Sequence, residues 1–169
     1  MTPARIRRLS LWVAVPVTLL AGIALAAQRV PALALINESP SLPLGVYTRT
    51  VKSEPARGDV VALSQPPSTR PYLRGLGMPS DVKLLKRVAA VGGDRVCETA
   101  GKVATPLREV PVMARDRRGV AVPAWRECRV LRADELFVLG DTPGSFDSRY
   151  FGPIHRAQVD GVYRETLTW

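Results

Sequence analysis

The hydrophobic positions divide the chain into two unlike parts. From Leu9 to Ala27 the sequence LSLWVAVPVTLLAGIALAA runs for 19 residues without a formal charge. At about 1.5 Å per residue, a helix of that length roughly spans a ~30 Å hydrocarbon core, so the run predicts one transmembrane helix. Pro16 and Gly22 would weaken a soluble helix, but membrane spans tolerate both. A cleaved signal peptide is the other reading, because Ala24-Leu25-Ala26 before Ala27 resembles a small-residue cleavage site.

Beyond residue 30 the apolar positions come in short clusters, and no long stretch carries a helical face. VYTRT, Asp59 to Gln65 (DVVALSQ), Glu135 to Asp141 (ELFVLGD) and Val159 to Leu167 (VDGVYRETL) read as strands, the last placed to close a sheet. RVCETA and KVATPLREV flank Gly101 as a hairpin, and RDRRGVAVP holds a charged turn. PPSTRPYLRGLGMPS, dense in Pro and Gly, reads as a loop. Lys83 to Val91 (KLLKRVAAV) would suit a helical face through Leu84, Leu85, Val88 and Ala89. Its β-branched end and the following Gly92-Gly93-Asp94 favour a strand. The expected fold class is therefore mainly β: one compact domain over residues 30–169, with strands of five to seven residues, behind an N-terminal helix.

Charge orients this arrangement. The net formal charge is +9, with Arg5, Arg7, Arg8 and Arg29 and no acid in residues 1–29, which leaves the remainder at +5. Three arginines precede the apolar run and one follows. The positive-inside bias then keeps residues 1–8 in the cytoplasm and sends the β domain outward, with membrane lipid as one partner. Aromatic residues are 6% of the chain and no basic run alternates with them, so a nucleic-acid surface is not expected. In an oxidising compartment Cys97 and Cys128, 31 positions apart, are most simply one disulfide, with two buried thiols as the alternative. They have no CxxC spacing and no nearby histidine, so no metal site is expected.

An external hydrolase with a serine nucleophile needs a base. The chain has one histidine, His155, in a loop-like GPIHRAQ near the end. A lysine can take its place if burial depresses its pKa. Lys86 has that setting, framed by Leu84, Leu85, Val88 and Val91. On a strand Lys86 and Arg87 face opposite sides, so Arg87 can reach solvent while Lys86 points inward. Lys52, Lys83 and Lys102 lie in more polar surroundings. On the serine side, NESPSLPLGVY sets Ser39 and Ser41 among Pro40 and Pro43, which restrict the backbone around Ser41. Taken alone, these residues fit a stiff linker as well as a presented nucleophile.

Four pieces in order after the apolar run, NESPSLPLGVY, LLKRVAAVGGDRVC, LFVLGD and SFDSRYFGPI, resemble the serine–lysine type I signal peptidases. The likeness is to their conjugative-transfer branch, called TraF, and it covers nearly the whole external domain. It implies Ser41 as nucleophile and Lys86 as general base. Ser39 and the Ser41 N–H become oxyanion donors, and Ser145 a hydrogen-bond partner of the lysine. Asp147 and Arg149 become a bracing salt bridge, and Gly140-Asp141 the turn before that element. It implies a membrane-bound endopeptidase of the bacterial inner membrane, with a periplasmic catalytic domain and no cofactor. The partners implied are a signal-bearing precursor, such as a conjugative pilin, and proteins of a transfer complex. Leu42 stands where the housekeeping enzymes carry methionine, and the domain lacks room for their large second β domain. A non-catalytic periplasmic scaffold would instead leave Lys86 exposed and far from Ser41. A histidine-assisted hydrolase would put His155 beside a serine hydroxyl. A general preprotein signal peptidase would share the Ser41–Lys86 chemistry.

Overall fold

The computed structural model describes residues 16–20, 22 and 31–169. Residues 16–20 and Gly22 are helical. The rest of the expected span Leu9–Ala27, like the expected cytoplasmic residues 1–8, lies outside the described residues. Among the described residues no helix is long and apolar enough to cross a membrane. The chain divides into two units, Met1–Ala32 and Leu33–Trp169.

The second unit is built on two antiparallel sheets. The larger uses β1 (Ala34–Asn37), β2 (Gly45–Arg49), β3 (Val60–Leu63), β4 (Leu84–Val91), β9 (Glu135–Leu139), β10 (Ile154–His155) and β11 (Val159–Thr168). Their spatial order is β1-β2-β11-β3-β4-β9-β10. The smaller joins β5 (Arg95–Thr99), β6 (Lys102–Ala104), β7 (Glu109–Pro111) and β8 (Cys128–Val130) in the order β7-β6-β5-β8. β3 and β9 are buried along their whole length, which explains why they read as unbroken apolar runs rather than as alternation. One face of the larger sheet packs Val61, Leu63, Leu84, Val88 and Val138. The opposite face packs Val60, Ala62 and Leu85 with Leu42 and Tyr47.

The strand expected over Lys83–Val91 is β4, and its sharp end has a physical cause. A β-carbon on Gly92 would lie 2.6 Å from the carbonyl oxygens of Arg132 and Ala133, and Gly93 turns at φ +91°. The hairpin at Gly101 also forms, with Ala100 at φ 51° and Gly101 at φ 77° between Thr99 and Lys102. The strand over Val159–Leu167 forms but sits inside the sheet, between β2 and β3.

Two expectations need correction. PPSTRPYLRGLGMPS is not all loop: Pro67–Thr69 is a 3-10 turn and Arg70–Gly75 a short helix. Pro71 falls in its first turn, where no backbone donor is needed, and Leu73 is its one fully buried residue, with Tyr72 packed partly buried beside it, too little to print a period on the sequence. The domain also holds a second sheet, small enough to hide. KVATPLREV breaks into two three-residue strands around a Thr105–Arg108 turn, where Thr105 N–H donates to Arg108 O at 2.9 Å. Cys97 and Cys128 are direct cross-strand partners on β5 and β8, and they form a disulfide.

Candidate active site

The turn between β1 and β2 is organised by one side chain. Asn37, 5% exposed, donates from Nδ2 to the carbonyls of Ser39, Leu42 and Pro43 at 2.9–3.0 Å. Its Oδ1 accepts from Ser39 N–H at 3.3 Å and Ser39 Oγ at 3.1 Å. Tyr47 Oη also donates to Pro43 O at 2.8 Å, and Trp169 N–H donates to Leu44 O at 3.1 Å. Buried Leu42 plugs the core below. Ser41 is thus held by its neighbours' hydrogen bonds and by proline stiffness, without a helix. Its carbonyl accepts from Asp141 N–H at 2.6 Å, and its hydroxyl shares a 2.8 Å hydrogen bond with Ser39 Oγ.

Lys86 lies on β4 opposite Val61 of β3. It is 4% exposed, and among the described residues no carboxylate lies within ion-pair distance of its amine. Burial pulls its pKa from 10.5 down to about 8, with the nearby Asp147 carboxylate partly offsetting that fall. Arg87 points to the other face, as alternation requires. It donates to Asp141 at 3.1 and 2.9 Å and to Glu165 at 3.0 Å, and the Asp141 hydrogen bonds hold its pKa above the ordinary value.

Gly140 is where these pieces converge. β4 and β9 pair Arg87 with Leu139, and one further step of that register sets Gly140 across from Lys86. Cross-strand partners present their side chains on one face. A β-carbon on Gly140 would overlap Ser145 Oγ and Cβ and approach Ser41 O at 2.9 Å. The missing side chain therefore makes room, on the Lys86 face, for Ser145 and the backbone of Ser41. This close approach is why the LFVLGD strand ends in glycine.

The hydrogen bond from Ser145 to Lys86 that the resemblance implies is absent. Ser145 Oγ is buried without a hydrogen-bond partner among the described residues, turned into the space Gly140 leaves open. Asp147 and Arg149, both 0% exposed, form the bracing pair with Nη2 to Oδ2 at 2.8 Å. Asp147 also accepts from Gly140 N–H at 2.8 Å and caps the helical turn Ser148–Phe151. Arg149 donates to the carbonyls of Thr142, Pro143 and Ser145 at 2.9–3.1 Å, so one buried fork fixes the loop that carries Ser145.

His155 is elsewhere, at the sheet edge on β10. Its ring pairs with Asp134 at 2.8 Å, and no serine hydroxyl joins it among the described residues. No group of His, Cys, Asp or Glu among the described residues gathers to hold a metal. Sequence reasoning left Asn37, Arg87 and Asp141 without a catalytic-site role. For Asn37 the signal was the Asx-turn spacing to Ser39; for Asp141 it was its place directly after an unbroken apolar run.

The family model described as signal peptidase, peptidase S26, matches residues 6–169. Plasmid transfer protein TraF of Escherichia coli is 31% identical over 183 residues, covering 98% of this chain and 99% of its own length. The probable conjugal transfer protein TraF of Sinorhizobium fredii is 36% identical over 147 residues, covering 79% of this chain and 77% of its own. Among solved structures, a signal peptidase I from Enterococcus faecalis V583 aligns at 25% identity and a TM-score of 0.41, covering 67% of this chain and 98% of its own.

Proposed function

The chain belongs to the signal peptidase (peptidase S26) family, and on that premise we propose that it is a membrane-bound serine endopeptidase working through a Ser41–Lys86 dyad. The observation that carries this reading is Lys86: a buried amine with no ion-pair partner among the described residues, its pKa pulled to about 8, across the register from the glycine beside Ser41 O. A structural lysine would snorkel to solvent or pair with a carboxylate. A solvent-exposed lysine, the mark of a non-catalytic scaffold, is not what Lys86 is.

The chemistry follows from these groups. Neutral Lys86 accepts the Ser41 proton as Oγ attacks the scissile carbonyl. At rest Ser41 Oγ bonds Ser39 Oγ, so attack begins with a turn of the Ser41 hydroxyl toward the amine; catalytic hydrogen bonds commonly tighten only when substrate is bound. The Ser41 N–H and the Ser39 hydroxyl then donate to the oxyanion. The leaving amine takes the proton back from Lys86, and water activated by the same amine releases the acyl group. Ser145 Oγ, unpartnered at rest, supplies the lysine with a hydrogen bond during turnover. None of these steps calls for a metal or an organic cofactor.

The substrate is a precursor carrying a signal peptide. The relatives' names, plasmid transfer and conjugal transfer proteins, favour a pilin of a conjugative system over general secretion. The enzyme would work at the inner membrane, its N-terminus cytoplasmic and residues 30–169 periplasmic. Ser41→Ala and Lys86→Ala in the full-length protein should each abolish precursor cleavage while the domain stays folded. The double variant should be no worse than either, because the two residues form one proton-transfer unit. Losses that multiply would mean the two residues act separately.

A further inference from the structure

We propose that the excursion between Cys97 and Cys128 is a clasp that positions the nucleophile, and that Arg108 is the positioning residue through which it acts; this rests on Ser41 being the nucleophile. The excursion leaves the main domain on β5, returns on β8, and is closed at its root by the disulfide. Between those points it touches the segment that follows β9 at four places. Arg108 Nη2 donates to Gly140 O at 2.7 Å, and Arg149 Nη1 donates to Pro111 O at 3.0 Å. Met113 N–H donates to Tyr150 Oη at 3.2 Å, and Trp125 N–H donates to Arg149 O at 2.9 Å.

Three of the four contacts reach Arg149 and Tyr150, which Asp147 and the buried core already hold. Arg108 alone reaches the Gly140-Asp141 turn. There Gly140 N–H is fixed from inside by Asp147 at 2.8 Å, and Gly140 O is fixed from outside by Arg108. The next N–H, that of Asp141, is the donor to Ser41 O at 2.6 Å. The orientation of one peptide group thus passes directly to the nucleophile's backbone. The Arg108–Asp141 ion pair at 3.6 Å is half-exposed and contributes little by itself; the charge-assisted bond to the carbonyl is the stronger tie. Arg108 can reach Gly140 because the Thr105–Arg108 turn is closed by its own hydrogen bonds at 2.9 and 3.2 Å, on a hairpin rooted beside the disulfide. Formation of that bond outside the cytoplasm therefore sets the nucleophile as well as stabilising the small sheet.

The test uses the full-length protein in detergent and a fluorogenic peptide with alanine at the first and third positions before the scissile bond. Arg108→Ala should lower kcat about tenfold. KM should stay within about twofold, because Arg108 acts on the Gly140-Asp141 backbone, and the variant should stay folded, because the side chain is only half-buried. Arg108→Lys should recover part of the loss. Cys97→Ser/Cys128→Ser should lower kcat by a similar factor, and adding Arg108→Ala to it should cost little more. A kcat for Arg108→Ala within about twofold of wild type, or losses that multiply in the combined variant, would overturn the proposal. If the cysteine variant does not fold, Arg108→Ala decides alone. Cleavage that survives Ser41→Ala would instead remove the serine assignment on which the clasp depends.

Discussion

Lys86 should cost the fold stability at neutral pH, and replacing it with methionine should recover that cost. Its pKa falls from 10.5 to about 8 because the side chain, on β4 opposite Val61, is buried away from water. That fall corresponds to about 3 kcal/mol of folding free energy, at about 1.4 kcal/mol per tenfold. The sign follows from proton binding. Below about pH 8 folded and unfolded chains both carry the proton, and the full penalty is present. Between about 8 and 10.5 only the unfolded chain retains it, so stability rises with pH; above 10.5 the penalty is gone. Lys86→Met keeps an unbranched stem in the same space and removes the charge. Urea unfolding of both proteins should show the variant more stable by about 3 kcal/mol at pH 7, and by less than about 1 kcal/mol at pH 10. The titrating tyrosines, Tyr47 among them, cancel in the difference between variants. A variant no more stable than wild type at pH 7, or a gap that does not shrink toward pH 10, would refute a desolvated amine.

The other expectations concern the same turn and loop. The acid limb of kcat/KM should rise through a pKa near 8, since only the neutral Lys86 amine is a base; a limb that vanishes in His155→Ala would point to the histidine. Ser145→Ala should leave stability within about 0.5 kcal/mol of wild type, because its hydroxyl has no partner to lose, yet lower kcat about 5–150-fold. Unchanged turnover in that variant would return Ser145 to a packing role. Asn37→Asp keeps the shape but turns a donor to three carbonyls into a charged acceptor, and should cost about 2–4 kcal/mol in denaturant unfolding along with most of the activity. A stable, active Asn37→Asp would show that the prolines alone hold the nucleophile's turn.

Much of this arrangement was legible in the sequence where one local rule dominated. Strand alternation was enough to send Lys86 inward and Arg87 outward, and the structure has both. Gly92-Gly93 announced the end of β4, because Gly92 has no room for a side chain and Gly93 turns at positive φ. The second sheet was not legible, since strands of three residues print no period, although Pro106 marks the turn that divides KVATPLREV. The short helix at Arg70–Gly75 escaped for the same reason, with Leu73 its one buried residue. The site was readable in part. The resemblance named Ser41, Lys86 and the Asp147–Arg149 pair, and the last two form a buried ion pair. It could not show that Ser145 Oγ is unpartnered at rest, which depends on how the loop lies over Gly140. Nor could spacing connect Arg108 to Gly140, a contact made across the fold, or show that Asn37 reaches over its own turn to Pro43.

Cleavage of a signal-bearing precursor by purified, full-length Lys86→Arg tests the central assignment most directly. Arginine keeps the cation and nearly the length but stays protonated, its pKa lying above about 12. If the neutral amine at position 86 is the base, this variant should be as inactive as Lys86→Ala while remaining folded. Substantial cleavage by folded Lys86→Arg would contradict a serine–lysine mechanism and leave Lys86 only a charge or packing role.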